Sequence, residues 1–198
     1  QHFVGAGLVD NINNGIKWAV DQGAQVINMS LGIPHEGGGL PHQEVITYAH
    51  RKGATVVAAS GNDGTDERYY PGALKGVIAV GALEAAGQQV ASYTSFGKVT
   101  LLAPGTQVYS THVNGGYAFA SGTSQAAPFV AGIVALLQAH ALKKYGQLLS
   151  YRQVRSLLIR TADRPGTQEY EERAGFGRIN PWDAFRQLDY SKSKLEFV

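Results

Sequence analysis

The sequence predicts an α/β fold, a doubly wound and mainly parallel sheet flanked by helices. Amphipathic helical patterns alternate along the chain with short apolar segments, which is the order of βαβ units with right-handed crossovers. The chain has 198 residues, 44% of them hydrophobic, so it is of single-domain size and can bury a sizeable core. Its 25 glycines predict many tight turns and close backbone approaches.

A first helix and strand are predicted near the start of the chain. Apolar side chains recur at helical spacing over residues 12–20, Asp10 or Asn11 can cap this helix, and Gly23 is placed to end it. The mostly apolar segment 26–31 follows, as expected of a buried parallel strand.

A second helix and strand repeat this order. A loop over residues 32–41 leads to a helical pattern with its apolar face at 45–49, and Gly53 closes it. Residues 55–59 then form a second buried strand, which runs into the turn-forming segment 60–64.

Two more buried strands and a hairpin are predicted in the middle of the chain. Residues 77–81 and 99–102 are short apolar segments typical of strands inside a sheet. Residues 108–110 and 117–119 flank Asn-Gly-Gly at 114–116, which favours a hairpin.

Three helices are predicted in the last third. A long apolar helix runs from Thr123 to about Tyr145, Ser150 caps the next helix, and Pro181 begins a short one. Residues 191–198 have the composition of a solvated tail, so we divide the chain into a domain over 1–190 and a C-terminal tail over 191–198.

Composition excludes several classes of protein. The 17 Lys and Arg and 15 Asp and Glu leave a net charge of +2 without a dense basic block, so we expect no nucleic-acid partner. The absence of cysteine excludes a disulfide scaffold and thiolate metal sites. No apolar run approaches the roughly 20 residues that span a bilayer, and the start lacks a signal-peptide pattern, so we expect no membrane partner.

The segment Gly-Thr-Ser-Gln-Ala-Ala-Pro at residues 122–128 places Ser124 where a turn becomes the long apolar helix. A serine there lies among unpaired N–H groups and at the positive end of the helix dipole, where an oxyanion is stabilised. The alternative is that the hydroxyl only caps the helix. Parallel α/β sheets place their sites at the carboxyl ends of strands, and residues 30–32 and 60–62 stand at two such ends.

Six ordered segments resemble the subtilisin-like serine proteases, whose nucleophile motif Gly-Thr-Ser-x-Ala-x-Pro stands here at residues 122–128. The other five are residues 26–32, 56–64, 77–82, 103–105 and 175–180. The resemblance implies the three-layer architecture of that family without its N-terminal strands. The domain over 1–190 would then be a partial catalytic domain.

The resemblance also assigns roles to particular residues. Ser124 would be the nucleophile, and Asn62 the side-chain donor of the oxyanion hole, together with the Ser124 backbone N–H. The residues expected to contact substrate, either as an added strand or as the wall of the pocket, are Ser30, Leu31, Gly32, Ala58, Ala59, Ser60, Gly61 and Thr123. Without the resemblance, Asn62 would be interpreted as a turn residue, and the strand ends could equally be backbone that packs closely against a helix.

The base and the acid of a serine protease are missing from this sequence. The family carries them in Asp-Ser/Thr-Gly and His-Gly-Thr, and neither motif occurs here. No histidine of the chain is followed by glycine, and the six are His2, His35, His42, His50, His112 and His140. The resemblance places the missing Asp and His in a segment ahead of Gln1 or on a second chain, so we expect this chain alone to be inactive.

The sequence therefore predicts a serine endopeptidase that cleaves polypeptides through an acyl-enzyme once Asp and His are supplied. The alternative is a catalytically inactive fragment that binds peptides or another protein. An α/β-hydrolase is disfavoured because its motif requires glycine where Ala126 stands. The chemistry needs no cofactor, and no Asp-rich loop is typical of the structural calcium that the family often binds. The resemblance implies a secreted or extracytoplasmic location.

Overall fold

The computed structural model describes residues 6–35, 39–87, 89–164 and 166–195, with side chains from Leu8 to Ser191. Five α-helices, one 3₁₀ helix (Val113–Gly115) and eight strands lie within those ranges. In chain order the α-helices and strands are α1 (Ala6–Asp21), β1 (Val26–Met29), β2 (Ile33–Pro34), α2 (Gln43–Arg51), β3 (Thr55–Ala59), β4 (Tyr69–Tyr70), β5 (Ile78–Leu83), β6 (Leu101–Pro104), β7 (Val108–Thr111), β8 (Tyr117–Ala120), α3 (Thr123–Tyr145), α4 (Tyr151–Thr161) and α5 (Pro181–Leu195).

The centre of the fold is a four-stranded parallel sheet in the order β1-β3-β5-β6. Its register sets Val26 opposite Thr55, Val57 opposite Ile78, and Val80 opposite Leu101. Every residue of β3 and β5 is buried, because helices cover both faces of the sheet. Two antiparallel pairs, β2 with β4 and β7 with β8, lie outside this sheet.

The two helix layers follow from the alternation of side chains along the strands. In β3, Val56 and Ala58 point to one face and pack with Ile16 of α1 and Ile46 of α2. Val57 points to the other face and packs in the core cluster of α3 and α4, with buried side chains such as Ile78, Val80, Val130, Val134 and Leu137. The predicted three-layer α/β architecture is confirmed.

Helix α3 crosses the sheet and is the longest described helix, with 23 residues. By length and composition it could cross a membrane, so the expectation that no apolar run approaches that length is wrong. The core helix of a soluble protein passes the same test. Here Val130, Val134 and Leu137 are buried against the sheet, and Thr123 at its start is fully buried.

Helix boundaries agree with the local signals except at two ends. Gly23 and Gly53 follow α1 and α2 with φ of 85° and 91°, and Ser150 forms a capping box with Gln153, as predicted for these helix ends. The predicted cap at Asp10 or Asn11 is wrong because α1 already includes Ala6, and a polar residue in an exposed helix turn resembles a cap in sequence.

The end of the domain differs from the prediction too. Helix α5 continues to Leu195, so residues 191–195 are helical, and the boundary expected between 190 and 191 falls inside the helix. Polar residues on a surface helix have no apolar periodicity, which makes such a segment look like a solvated tail. The pair β2 and β4 has no counterpart among the predicted strands, because two-residue strands show no periodicity.

Candidate active site

The carboxyl end of β1 and the start of α3 meet at Ser30 and Ser124, as the sequence predicts. The Ser124 hydroxyl donates to the Ser30 carbonyl at 3.1 Å, and the Ser30 hydroxyl donates to the Ser124 carbonyl at 2.8 Å. These reciprocal hydrogen bonds join residues 94 apart in the chain. The nucleophile candidate therefore lies against the strand end that is expected to hold substrate.

Pro128 explains why the Ser124 carbonyl accepts from Ser30. It is the sixth residue of α3 and has no N–H, so the helix lacks the usual donor for the carbonyl four residues earlier. The Ser30 hydroxyl takes that place and anchors the first turn of α3 to the end of β1. The proline of the motif thus contributes to positioning Ser124.

The turn into α3 requires glycine at position 122. Gly122 is the N-cap residue with φ of 154°, and its N–H donates to the Gly105 carbonyl at 2.8 Å. A Cβ there would lie 2.8 Å from Gln125 Oε1. Because Gly122 is the N-cap and Ser124 bonds to Ser30 instead of a helix N–H, the interpretation of Ser124 as a helix cap is wrong.

Asn62 is held in one orientation by Thr123. Its Oδ1 accepts from the Thr123 N–H at 2.8 Å and from the Thr123 hydroxyl at 2.9 Å. Since a backbone N–H can only donate, the atom that faces it must be the amide oxygen, and Nδ2 points away as a donor. Asn62 is exposed, and Nδ2 lies as close to the Cβ position of Gly122 as Oδ1 does, at 3.6 Å.

The predicted substrate-contacting residues divide into exposed and buried groups. Ser30, Leu31 and Gly32 are exposed, as a strand edge that pairs with a peptide must be. The others are buried: Ala58, Ala59, Ser60, Gly61 and Thr123. Thr123 has no exposed surface in this structure, and its hydroxyl bonds to Gly61 and Asn62, so it positions Asn62, whereas its contact with substrate stays a prediction.

Tyr69 lies between the two segments that are expected to line the pocket. A Cβ on Gly61 would clash with its ring, and a Cβ on Gly32 would lie 3.2 Å from its Cβ. Its hydroxyl donates to the carboxylates of Asp63 and Glu67. Sequence reasoning misses Tyr69 because its place between two glycines depends on the pairing of β4 with β2.

The described histidines do not bond to Ser124. His42 pairs with Asn13 at 2.7 Å, His50 stacks on Tyr151 with ring centroids 3.9 Å apart, and His140 pairs with Asp189 at 2.7 Å. His35 bonds to the Gly39 carbonyl, His112 is exposed, and His2 lies outside the described residues. In the described part of the chain, the hydroxyl of Ser124 thus has a carbonyl partner and no base.

Comparisons with known proteins agree with this geometry. The profile of the subtilase family matches residues 5–177. Among curated relatives, the thermophilic serine proteinase of Bacillus sp. (strain AK1) is 37% identical over 91% of this chain and 42% of its own length. Thermitase of Thermoactinomyces vulgaris is 38% identical over 91% and 61%, and subtilisin DY of Bacillus licheniformis is 40% identical over 89% and 62%.

Solved structures show the same fold. The patellamide maturation protease PatA superposes with a TM-score of 0.83 at 30% identity, over 91% of this chain and 69% of that one. The prenylagaramide maturation protease PagA gives a TM-score of 0.81 at 29% identity, over 91% and 67%. The chain spans less than two thirds of the length of each of the three curated relatives.

Proposed function

Because the chain belongs to the subtilase family of serine proteases, we propose that it forms part of an endopeptidase that cleaves peptide bonds through an acyl-enzyme. The observation that carries the proposal is the contact of Ser124 with the end of β1, beside an Asn62 whose amide oxygen is held by Thr123. The meeting of Ser124 and Ser30 at the carboxyl end of the sheet, near Asn62, supports their proposed roles as nucleophile, substrate strand and oxyanion donor.

In this mechanism Ser124 Oγ attacks the scissile carbonyl carbon, and its proton passes to a base. The carbonyl oxygen becomes an oxyanion, which accepts hydrogen bonds from Asn62 Nδ2 and from the Ser124 N–H. As the second residue of α3, Ser124 has an N–H with no partner inside the helix, at the positive end of the helix dipole. The amine then leaves with a proton, and water hydrolyses the resulting ester.

The substrate is proposed to be a polypeptide that pairs as an added strand with Ser30, Leu31 and Gly32. The side chain before the scissile bond would enter between this edge and Gly61, where Tyr69 packs against both glycines. Since Tyr69 occupies that space, we expect a small side chain to be preferred at this position.

The general base and its orienting acid are proposed to come from a polypeptide segment outside residues 1–198, upstream or on a second chain. Within the described residues, β1 pairs with β3 alone, so one edge of an otherwise buried sheet has no strand partner. Beside it, α3 has an exposed apolar face at helical spacing, formed by Pro128, Phe129, Gly132, Ala135, Leu136 and Ala139.

This apolar face continues directly from the turn that holds Ser124. Phe129 is 45% exposed and Leu136 58% exposed, values that are unusual along one face of a central helix. A segment packed on this face and paired with β1 would bring a histidine to the Ser124 hydroxyl. The hydroxyl would then bond to the histidine instead of the Ser30 carbonyl. The same surface would suit the alternative function, in which an inactive chain binds a protein partner.

Labelling with a fluorophosphonate probe separates the two functions, because only an activated serine reacts. We expect Ser124 to be labelled when the upstream polypeptide is present and to react far more slowly without it. In subtilisin, loss of the histidine lowers kcat by about 10⁶-fold. The control is Ser124→Ala, which must abolish labelling. No labelling with the upstream polypeptide present would overturn the protease function and support the binding module.

Cofactor and location complete the proposal. The described residues contain no cluster of three or more His, Cys, Asp or Glu side chains able to hold a metal ion, and we assign no calcium site. We propose a secreted or extracytoplasmic location from the family resemblance. One relative, 38% identical, is named the major intracellular serine protease of Bacillus subtilis, so cell fractionation is the test of location.

A further inference from the structure

A large open groove lies at the opposite end of the sheet from Ser124. Its volume is about 1130 Å³, and it is bounded by α2, by the turn that precedes β5, and by α4. The turn, residues 73–77, leads into the amino end of β5, whereas Ser124 and Ser30 lie at the carboxyl end of the sheet. The groove therefore has no part in the proposed peptide cleavage.

The groove is strongly basic. Six cationic side chains line it against a single acidic one, Glu169, and they are Arg51, Lys75, Lys98, Arg152, Arg155 and Arg160. The whole chain has 17 Lys and Arg and 15 Asp and Glu, so about a third of its cations gather in a groove with one carboxylate. In the part of the chain that the structure describes, none of the six forms a salt bridge.

Arg155 carries an enclosed donor without a partner. Its Nε is buried and makes no hydrogen bond within the described residues, and burial lowers the pKa of its guanidinium. His50 on the facing helix likewise has a buried Nε2 without a partner. Buried polar groups are normally paired, and a buried charge without a counter-ion is costly. A bound anion would supply the missing counter-charge, because Arg155 lines the groove.

We propose that this groove binds a compact anion that carries two or three phosphate groups. Arginine recognises phosphate through paired N–H donors, and Arg152 and Arg155 lie one turn apart on the same face of α4, where side chains are about 5–6 Å apart at Cβ. An extended acidic peptide spaces the carboxylates of one side by about 7 Å. Linked phosphates bring their charges closer together, so one compact anion can bond to both arginines.

Gly76 allows the turn before β5 to approach the stacked rings of His50 and Tyr151 closely. Gly76 has φ of 88°, and a Cβ there would lie 2.7 Å from the His50 ring and 3.1 Å from the Tyr151 ring. The stacked His50 and Tyr151 rings form a rigid wall of the groove beside Arg152, whose Nε donates to the Tyr151 hydroxyl at 3.0 Å. Arg152 is thereby oriented before any ligand arrives.

Titration calorimetry of the full-length protein with sodium tripolyphosphate, at constant ionic strength, tests the proposal. We expect one saturable site per chain, and Arg152→Gln and Arg155→Gln should each weaken binding about tenfold or more. Lys143→Gln is the matched control, because Lys143 is exposed on α3 outside the groove, and it should leave the affinity within about twofold. Far-UV circular dichroism verifies that Arg155→Gln folds, and the exposed Arg152 provides a second variant that does not disturb the core.

Two further titrations identify the ligand. Adenosine triphosphate should bind as well, and its affinity relative to tripolyphosphate distinguishes a nucleoside polyphosphate from a free polyphosphate. Tighter binding of a hexaglutamate peptide than of tripolyphosphate would overturn the phosphate assignment. An absence of saturable binding up to about 10 mM, or equal weakening by Lys143→Gln and Arg152→Gln, would overturn the site itself.

Discussion

Replacing Asn62 separates its two functions, since its oxygen organises the site and its nitrogen is the proposed oxyanion donor. In the present structure the Thr123 N–H and hydroxyl donate to Asn62 Oδ1 at 2.8 and 2.9 Å. In Asn62→Asp, a carboxylate oxygen can accept both hydrogen bonds at the same place. A negative charge at the start of α3 is favourable by about 0.3–1 kcal/mol. We therefore expect the free energy of unfolding to stay the same or rise.

The rate of cleavage should fall sharply in the same variant. Asp donates no hydrogen bond when ionised, and its charge would repel the oxyanion. Loss of the corresponding side-chain donor costs subtilisin itself about 10²–10³ in kcat. Because this donor is needed in the transition state, kcat should fall by at least that factor while KM changes little.

Asn62→Leu is the matched variant that removes both functions. The Thr123 N–H would lose its acceptor, while the hydroxyl keeps the Gly61 carbonyl, so we expect a cost of about 1–3 kcal/mol of unfolding free energy for one unpaired group. Its loss of kcat should equal or exceed that of Asn62→Asp.

Two measurements test this reasoning. Cleavage of a peptide p-nitroanilide by the full-length protein gives kcat and KM, and urea unfolding of each variant in a Ser124→Ala background gives stability without autolysis. If Asn62→Asp keeps kcat within about tenfold of the wild type, the oxyanion role is refuted. If activity follows stability across the two variants, Asn62 serves only to hold the turn.

Four further changes test other parts of the structure. For Tyr69→Ala we compare kcat/KM for a substrate with a large apolar side chain before the scissile bond with kcat/KM for a substrate with alanine there. This ratio should rise about tenfold, and an unchanged ratio would show that Tyr69 does not line the pocket. Gln138→Leu should lower the free energy of unfolding by about 2–5 kcal/mol in urea titrations, because Gln138 bonds at 2.8 Å to both the N–H and the carbonyl of buried Leu149. Burial lowers the pKa of His50 to about 4, so the unfolded chain binds one more proton than the folded chain between about pH 6.5 and 4. The free energy of unfolding should therefore decrease as the pH falls through that window. The decrease should be smaller in His50→Phe. Gln125 stands where many subtilases carry methionine, and Met29, the one methionine of the chain, is buried, so residual activity after peroxide treatment should stay high, whereas rapid inactivation would contradict this.

Local patterns predicted the parallel sheet and its helices because these elements are encoded by neighbouring residues. The continuous apolar segment at 55–59 indicated a strand covered on both faces, and every residue of β3 is buried. The Ser150 cap and the end of α2 at Gly53 likewise depend on residues within one turn. The end of α5 was missed because a polar surface helix has no such pattern.

The candidate site was predicted less completely. The ordered motifs singled out Ser124 and Asn62, and the structure shows that Ser124 bonds to Ser30 and that Asn62 bonds to Thr123. They did not indicate that Thr123 is buried beneath Asn62, or that Tyr69 packs between two glycines, since these facts depend on side-chain packing across strands.

The sequence alone determined the fold class, the family and the candidate nucleophile Ser124, because local periodicity and ordered motifs carry that information. Tertiary structure decided that the amide oxygen of Asn62 faces Thr123, and that Ser30 replaces the donor that Pro128 lacks. It also gathered into one groove six cations that are scattered from Arg51 to Arg160 and form no basic block in the sequence. These features depend on contacts between residues far apart in the chain. Such contacts are specified by the packing of the folded layers and not by local sequence patterns.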